Sequence, residues 1–151
     1  MKNTTLCYIE KDGKYLMLYR NKKENDLNEG KWIGVGGKFE PGETAEQCLV
    51  REVREETGLT LTDWHFYGIV NFISDKWDDE AMYLYLGKSF EGELLKSCDE
   101  GELRWVEKTA VMELPMWEGD VYFLKEMLSG TEKISMTLRY EGDTLKEMTN
   151  E

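Results

Sequence analysis

Two runs dense in apolar and β-forming residues, TTLCYIE (4–10) and YLMLYR (15–20), flank Asp12-Gly13-Lys14. Segments of that length around a glycine-containing turn predict a β-hairpin over residues 4 to 20. The polar stretch NKKENDLNEGK (21–31) has no period and carries Asn, Asp and Gly, which predicts a loop leading into the short apolar WIGV (32–35). WHFYGIVNFI (64–73) and AMYLYLGKSF (81–90) predict two further strands around the acidic loop SDKWDDE, and ELRWVE (102–107) predicts a short one. Helical spacing of apolar residues is confined to residues 45 to 57 and to DVYFLKEMLSG (120–130), where Asp120 is placed to cap the helix and Gly130 to stop it. The tail KISMTLRYEGDTLKEMTNE (133–151) reads as a strand, a Gly-Asp turn and a final weak strand.

Several strands and two helices in this order predict an α+β fold, a mixed sheet with a helix on each face. No repeat, linker or low-complexity tract divides the chain, so one domain over residues 1–151 is expected, with 40% hydrophobic residues to fill its core. No apolar run is long enough to span a bilayer, and the start lacks the order of a secretory signal, so the expected location is cytoplasmic. Cys7, Cys48 and Cys98 are widely spaced with no C-x-x-C pair, which fits neither a disulfide framework nor a thiolate zinc site.

Thirty-one acidic against nineteen basic residues give a formal charge of −12. That argues against a long nucleic acid as partner, because such binding depends on Lys and Arg contacts to phosphate. A small polyphosphate carried in with divalent cations is compatible with it. The single histidine, His65, is best read as structural, since a zinc site or a Ser-His-Asp triad would need that one residue to do everything.

The chemistry therefore rests with carboxylates. Thr44 followed by Gln47 has the spacing of a capping box and Gly58 that of a helix stop, so the helix is expected from Ala45 to Thr57. At about 100° per residue, Glu52, Glu55 and Glu56 share one arc beside an apolar arc of Leu49, Val50 and Val53. Like charges at such spacings repel, so a cation belongs among them. Oxygen-only donors point to Mg²⁺ or Mn²⁺; a solvated face laced with ion pairs from Arg51 and Arg54 is the plain alternative. Gly34, Gly36 and Gly37, just upstream, allow left-handed or crowded backbone beside a ligand. They do not form a G-x-x-x-x-G-K-[ST] phosphate loop.

Gly37, five residues, Glu43, seven residues, then Arg51-Glu52-Val53-Arg54-Glu55-Glu56-Thr57-Gly58-Leu59 resembles the Nudix box, G-x5-E-x7-R-E-U-x-E-E-x-G-U, at every specified position. The resemblance implies an α/β/α sandwich and a Mg²⁺- or Mn²⁺-dependent hydrolase of nucleoside diphosphates linked to another group. It implies Glu52, Glu55, Glu56 and the Gly37 carbonyl as metal ligands, Arg51 as the residue orienting the glutamates, and Glu43 as a loop support. Which carboxylate takes the attacking water's proton is left open.

CDEGELRWVE (98–107) resembles the segment where MutT-like members supply one more acidic ligand, with Glu100 in the matching place and Glu102 as competitor. LPMWEGDVYF (114–123) resembles the stretch of the animal oxidised-purine triphosphatase that stacks on and reads the base. Trp117 and Asp120 match it, while Gly119 and Ile33 stand where that enzyme has an aspartate and an asparagine. Trp117 is read equally as core and Asp120 equally as an N-cap. Phe72 is a candidate pocket wall, and Arg20, Lys22, Lys23 and Lys38 are candidate phosphate contacts. The features of ADP-ribose, dinucleoside polyphosphate and coenzyme A hydrolases are not matched. A nucleoside triphosphate, with 8-oxo-dGTP foremost, is the implied substrate, and a non-catalytic nucleotide-binding module is the alternative from another class.

Overall fold

The computed structural model describes residues 1–22 and 28–151. Lys23 therefore lies outside the described residues. The opening hairpin is present as β1 (Lys2–Lys11) and β2 (Lys14–Arg20), joined through Asp12 and Gly13, both at positive φ (52° and 76°), as a tight two-residue hairpin turn requires. Then come β3 (Trp32–Ile33), α1 (Ala45–Thr57), β4 (Thr60–Ser74) and β5 (Glu80–Glu91). β6 (Ser97–Cys98), β7 (Gly101–Glu107), α2 (Lys108–Val111), α3 (Asp120–Leu128), β8 (Met136–Glu141) and β9 (Thr144–Asn150) complete the order.

The strands form a mixed sheet in the order β6-β7-β2-β1-β5-β4-β8-β9, with β3 paired to β2. β1 runs parallel to β5 and β4 parallel to β8, and the other pairings are antiparallel. β1 and β2 are apolar almost throughout because both of their faces are covered. Leu6, Tyr8, Tyr15 and Met17 point into a core closed by Phe123, Leu124 and Met127 of α3. Cys7, Ile9, Leu16 and Leu18 point into a second core closed by Leu49 and Val53 of α1. Helices on opposite faces of one sheet make the α/β/α sandwich. Leu49 and Val53 are fully buried, and each contributes about 1.5–3 kcal/mol by leaving water.

The limits of α1 follow the chemistry of its ends. Thr44 Oγ1 accepts from the Gln47 amide at 3.2 Å, and Gln47 Oε1 accepts from the Thr44 amide at 2.9 Å. Gly58, at φ 79°, ends the helix in the left-handed region. α3 starts differently from the expectation. Gly119 occupies the cap position without a side-chain bond, and Asp120 is the first helical residue, 5% exposed. Asp120 therefore does not cap the helix. Among the described residues, no helix is long and apolar enough to cross a membrane.

Candidate active site

β1 and β2 pair only at Glu10↔Tyr15 and Lys11↔Lys14. Nearer its start, the edge of β1 is occupied by the segment following β3, with bridges Thr4↔Lys38 and Cys7↔Val35. The Thr5 amide donates to the Gly37 carbonyl at 2.9 Å and the Cys7 amide to that of Val35 at 2.7 Å. None of Gly34, Gly36 and Gly37 has a positive φ, so crowding and not a left-handed turn calls for glycine. A Cβ on Gly36 would stand 1.9 Å from the Thr5 carbonyl oxygen, and one on Gly37 would stand 2.5 Å from the Glu52 carboxyl carbon. The loop is thus pressed between β1 and the carboxylates of α1.

Arg51 organises those carboxylates. Its Nε donates to Glu43 Oε2 at 2.6 Å and its Nη2 to Glu43 Oε1 at 2.8 Å, a bidentate grip. Nη1 donates to Glu52 at 2.8 Å and to Glu55 at 3.2 Å, while Nη2 also reaches the Lys38 carbonyl at 3.1 Å. The guanidinium bond holds the Glu43 carboxyl down at about 2. One side chain thereby ties loop to helix and fixes the direction of Glu52.

Glu56 lies below, 6% exposed, with Oε2 accepting from the Gly36 amide at 2.8 Å. Burial, and then contact with Glu100, pushes its pKa far above the ordinary carboxylate range. Glu52 is also raised, by burial first, against the opposing pull of Arg51. Glu100 comes from the turn before β7, where Arg20 is registered opposite Gly101 and Arg20 Nη1 stands 3.5 Å from Glu100 Oε2. Among the described residues, no three acidic, Cys or His side chains converge as a ready-made cation site. The donor chemistry nevertheless fits a hard cation. Oxygen donors from two elements meet here, and the buried Glu56–Glu100 contact is one that a positive charge would relieve.

A cleft of about 360 Å³ runs from Glu52 and Glu100 to Trp117 and Asp120. At its far end Phe72 and Tyr140 are stacked 6.4 Å apart, and Trp117 meets Tyr140 edge-on at 5.4 Å. Trp117, 9% exposed, belongs to the core while also lining the cleft. Its Nε1 donates to Asn28 at 2.7 Å, and the Lys31 ammonium stands 4.4 Å from its ring centre. Burial, then the negative charge of Glu80, raises Asp120 to about 8, with Lys31 pulling the other way.

Arg20, Ile33, Gly37, Lys38, Glu52, Phe72, Glu100, Trp117 and Asp120 thus all line one cleft. Glu102 is exposed and outside its lining, which distinguishes it from Glu100. Lys22 is also outside, donating to the Cys98 carbonyl at 3.2 Å. Two of the expected ligands make other contacts within the protein. Glu55 accepts from Arg51 Nη1 at 3.2 Å, with its side chain 59% exposed and outside the cleft lining. The Gly37 carbonyl accepts from the Thr5 amide at 2.9 Å and from the Cys48 thiol at 3.5 Å, and Gly37 lines the cleft. Sequence reasoning missed Glu80 and Tyr140. Tyr140 lay in an anticipated strand, and Glu80 was one acidic residue among several in a loop. His65 bonds the Glu132 carbonyl at 2.7 Å, away from the cleft, in keeping with a structural role.

Residues 2–127 match the NUDIX domain, and the chain belongs to that family. It is accordingly a Nudix hydrolase, a pyrophosphohydrolase of the MutT-like kind, and hydrolases of this family use divalent cations. It is 31% identical to the oxidized purine nucleoside triphosphate hydrolase of Danio rerio, over 84% of this chain and 80% of that protein. It is 29% identical to the Nudix hydrolase YvcI of Bacillus subtilis, over 93% of this chain and 87% of that one. Among solved structures, the mutator MutT protein from Bacillus halodurans superposes with a TM-score of 0.88 at 30% identity, covering 100% of this chain and 98% of that one.

Proposed function

We propose that this protein is a Mg²⁺-dependent pyrophosphohydrolase of nucleoside triphosphates, acting on 8-oxo-dGTP in the cytoplasmic nucleotide pool and releasing the monophosphate and pyrophosphate. One observation carries the reading: a single cleft joins a carboxylate end, Glu52 and Glu100, to an aromatic end, Trp117 and Phe72. A polyphosphate and a base, linked through a sugar, match those two ends. Similarity to the Danio rerio enzyme, named for oxidised purine nucleoside triphosphates, supports the choice of base.

Glu52, Glu56 and Glu100, with Glu55 from the same helix face, would hold Mg²⁺ or Mn²⁺. When bound, the cation neutralises phosphate charge, polarises the P–O bond and lowers the pKa of its water. Arg51 keeps Glu52 directed at the cleft through their 2.8 Å bond. Arg20 and Lys38 contact the phosphates from the cleft wall; Lys23 is proposed to do the same. Trp117 and Phe72 enclose the base, Ile33 packs against it, and Asp120 bonds its edge. A carboxyl raised to about 8 is protonated at neutral pH, so Asp120 offers both a donor and an acceptor. The whole chain, residues 1–151, acts as one catalytic domain.

Product analysis tests the cleavage. With Mg²⁺ and 8-oxo-dGTP, phosphorus NMR should show pyrophosphate and the monophosphate appearing together. The diphosphate with inorganic phosphate would refute the proposed bond.

A further inference from the structure

The aromatic end of the cleft holds a second carboxylate. Glu80 opens β5, is registered opposite Phe72 of β4, and lines the cleft together with Asp120. Its side chain is fixed from one side: Oε2 accepts from the Thr4 hydroxyl at 2.7 Å, and Oε1 stands 3.6 Å from the Lys2 ammonium. A carboxylate has about four acceptor positions, so these two contacts leave capacity directed elsewhere. Asp120 approaches from α3 and is 5% exposed. Burial, and after it the charge on Glu80, raises Asp120 to about 8. Two carboxyl groups, that of Asp120 raised by burial first, thus share an aromatic-walled end of the cleft.

Such a pair selects among base edges. A neutral carboxyl alone pairs equally well with an amide edge, carbonyl beside ring N–H, and with the amino-pyrimidine edge of adenine. The second carboxyl, as an acceptor, asks for a further donor next to the first. Guanine has one, its exocyclic amino group beside the ring N–H; hypoxanthine has the same ring without it, and adenine presents its amino group next to an acceptor. We propose that Glu80 is a specificity-determining residue that accepts from the exocyclic amino group of a guanine-type base whose amide edge is bonded by Asp120. This rests on the nucleoside triphosphate reading above and names the group that would choose the base. An oxidised guanine keeps that amino group, so the assignment applies to it equally.

The test compares kcat/KM for triphosphates that differ only in the amino group, 8-oxo-dGTP against 8-oxo-dITP and dGTP against dITP, in wild type, Glu80→Gln and Glu80→Ala. A hydrogen bond to a charged acceptor corresponds to roughly 10–100-fold. Wild type should favour the guanine form by about that factor, and Glu80→Ala should bring the ratio to within about threefold of unity. Glu80→Gln keeps the size and the acceptor for Thr4, guarding against loss of the fold, and should also lower the ratio. If Glu80 serves only to anchor Thr4 and Lys2, both forms lose equally and the ratio stays put; that result, or a wild type with no preference, overturns the inference and leaves the triphosphate reading standing. No turnover of any of the four overturns both.

Discussion

Arg51 and Glu43 are joined by two parallel hydrogen bonds, Nε to Oε2 at 2.6 Å and Nη2 to Oε1 at 2.8 Å. The grip holds the loop against α1 and leaves Nη1 to fix Glu52. Lysine keeps the charge but not the fork. Arg51→Lys is therefore expected to lower kcat/KM by about ten- to a hundredfold, the scale of a small misplacement at a reacting centre. Because Glu43 is held down at about 2 from an ordinary 4.5, its stabilising contribution is present above about 4.5 and is lost as the pH falls towards 2. Melting temperatures of wild type and Arg51→Lys should accordingly converge over that window.

Gly36 and Gly37 are adjacent, yet their replacement should have different consequences. A Cβ on Gly36 meets the Thr5 carbonyl oxygen at 1.9 Å, a backbone atom that can move only with β1. Gly36→Ala is expected to destabilise the protein by about 3 kcal/mol or more. On Gly37 the obstacle is the end of the Glu52 side chain, which can swing away. Gly37→Ala should cost about 1 kcal/mol or less in denaturant melts but lower kcat at least about tenfold by displacing Glu52.

Asp120 should make stability depend on pH in a direction opposite to Glu43. Its carboxyl is raised from 3.8 to about 8, so the folded state keeps a proton that the unfolded chain gives up. Stability is then lost as the pH rises from about 4 to 8. Relative to Asp120→Asn, which has no such proton, wild type should lose several kcal/mol over that range, since a tenfold difference in proton affinity between folded and unfolded chain is worth about 1.4 kcal/mol. Urea melts of both proteins at pH 5 and pH 8 measure it.

Much of this was legible in the sequence because it depends on neighbours along the chain. The capping box, Gly58 and the hairpin turn are local, and α1 spans the residues expected of it. What escaped depends on distant contacts. Asp120 has the residue type of a cap, and only the fold shows it as a buried first helical residue. Glu80 in SDKWDDE cannot be told from its solvated neighbours until β4 and β5 pair and bring it to Phe72. Helix spacing groups Glu52, Glu55 and Glu56 on one arc but does not show that Arg51 draws Glu55 outward while Glu56 sinks beneath Gly36. The four residues of α2 are too few to carry a period.

The Glu56–Glu100 contact should make cation binding visible without substrate. A ligand present at about 100 times its Kd stabilises by about 2.7 kcal/mol. Mg²⁺ or Mn²⁺ should therefore raise the melting temperature, excess chelator should reverse the rise, and Glu56→Gln should abolish most of it. An equal rise in Glu56→Gln would move the cation elsewhere.

Substrate and metal site are probed together by kcat/KM with Mg²⁺ over 8-oxo-dGTP, the ordinary deoxynucleoside triphosphates, ADP-ribose and diadenosine polyphosphates, for wild type and Glu52→Gln side by side. The expected result is pyrophosphate release fastest from 8-oxo-dGTP and lowered at least about a hundredfold in Glu52→Gln, the scale for loss of a group that stabilises transition-state charge. Preference for ADP-ribose or a dinucleoside polyphosphate, or undiminished turnover in Glu52→Gln, would contradict it.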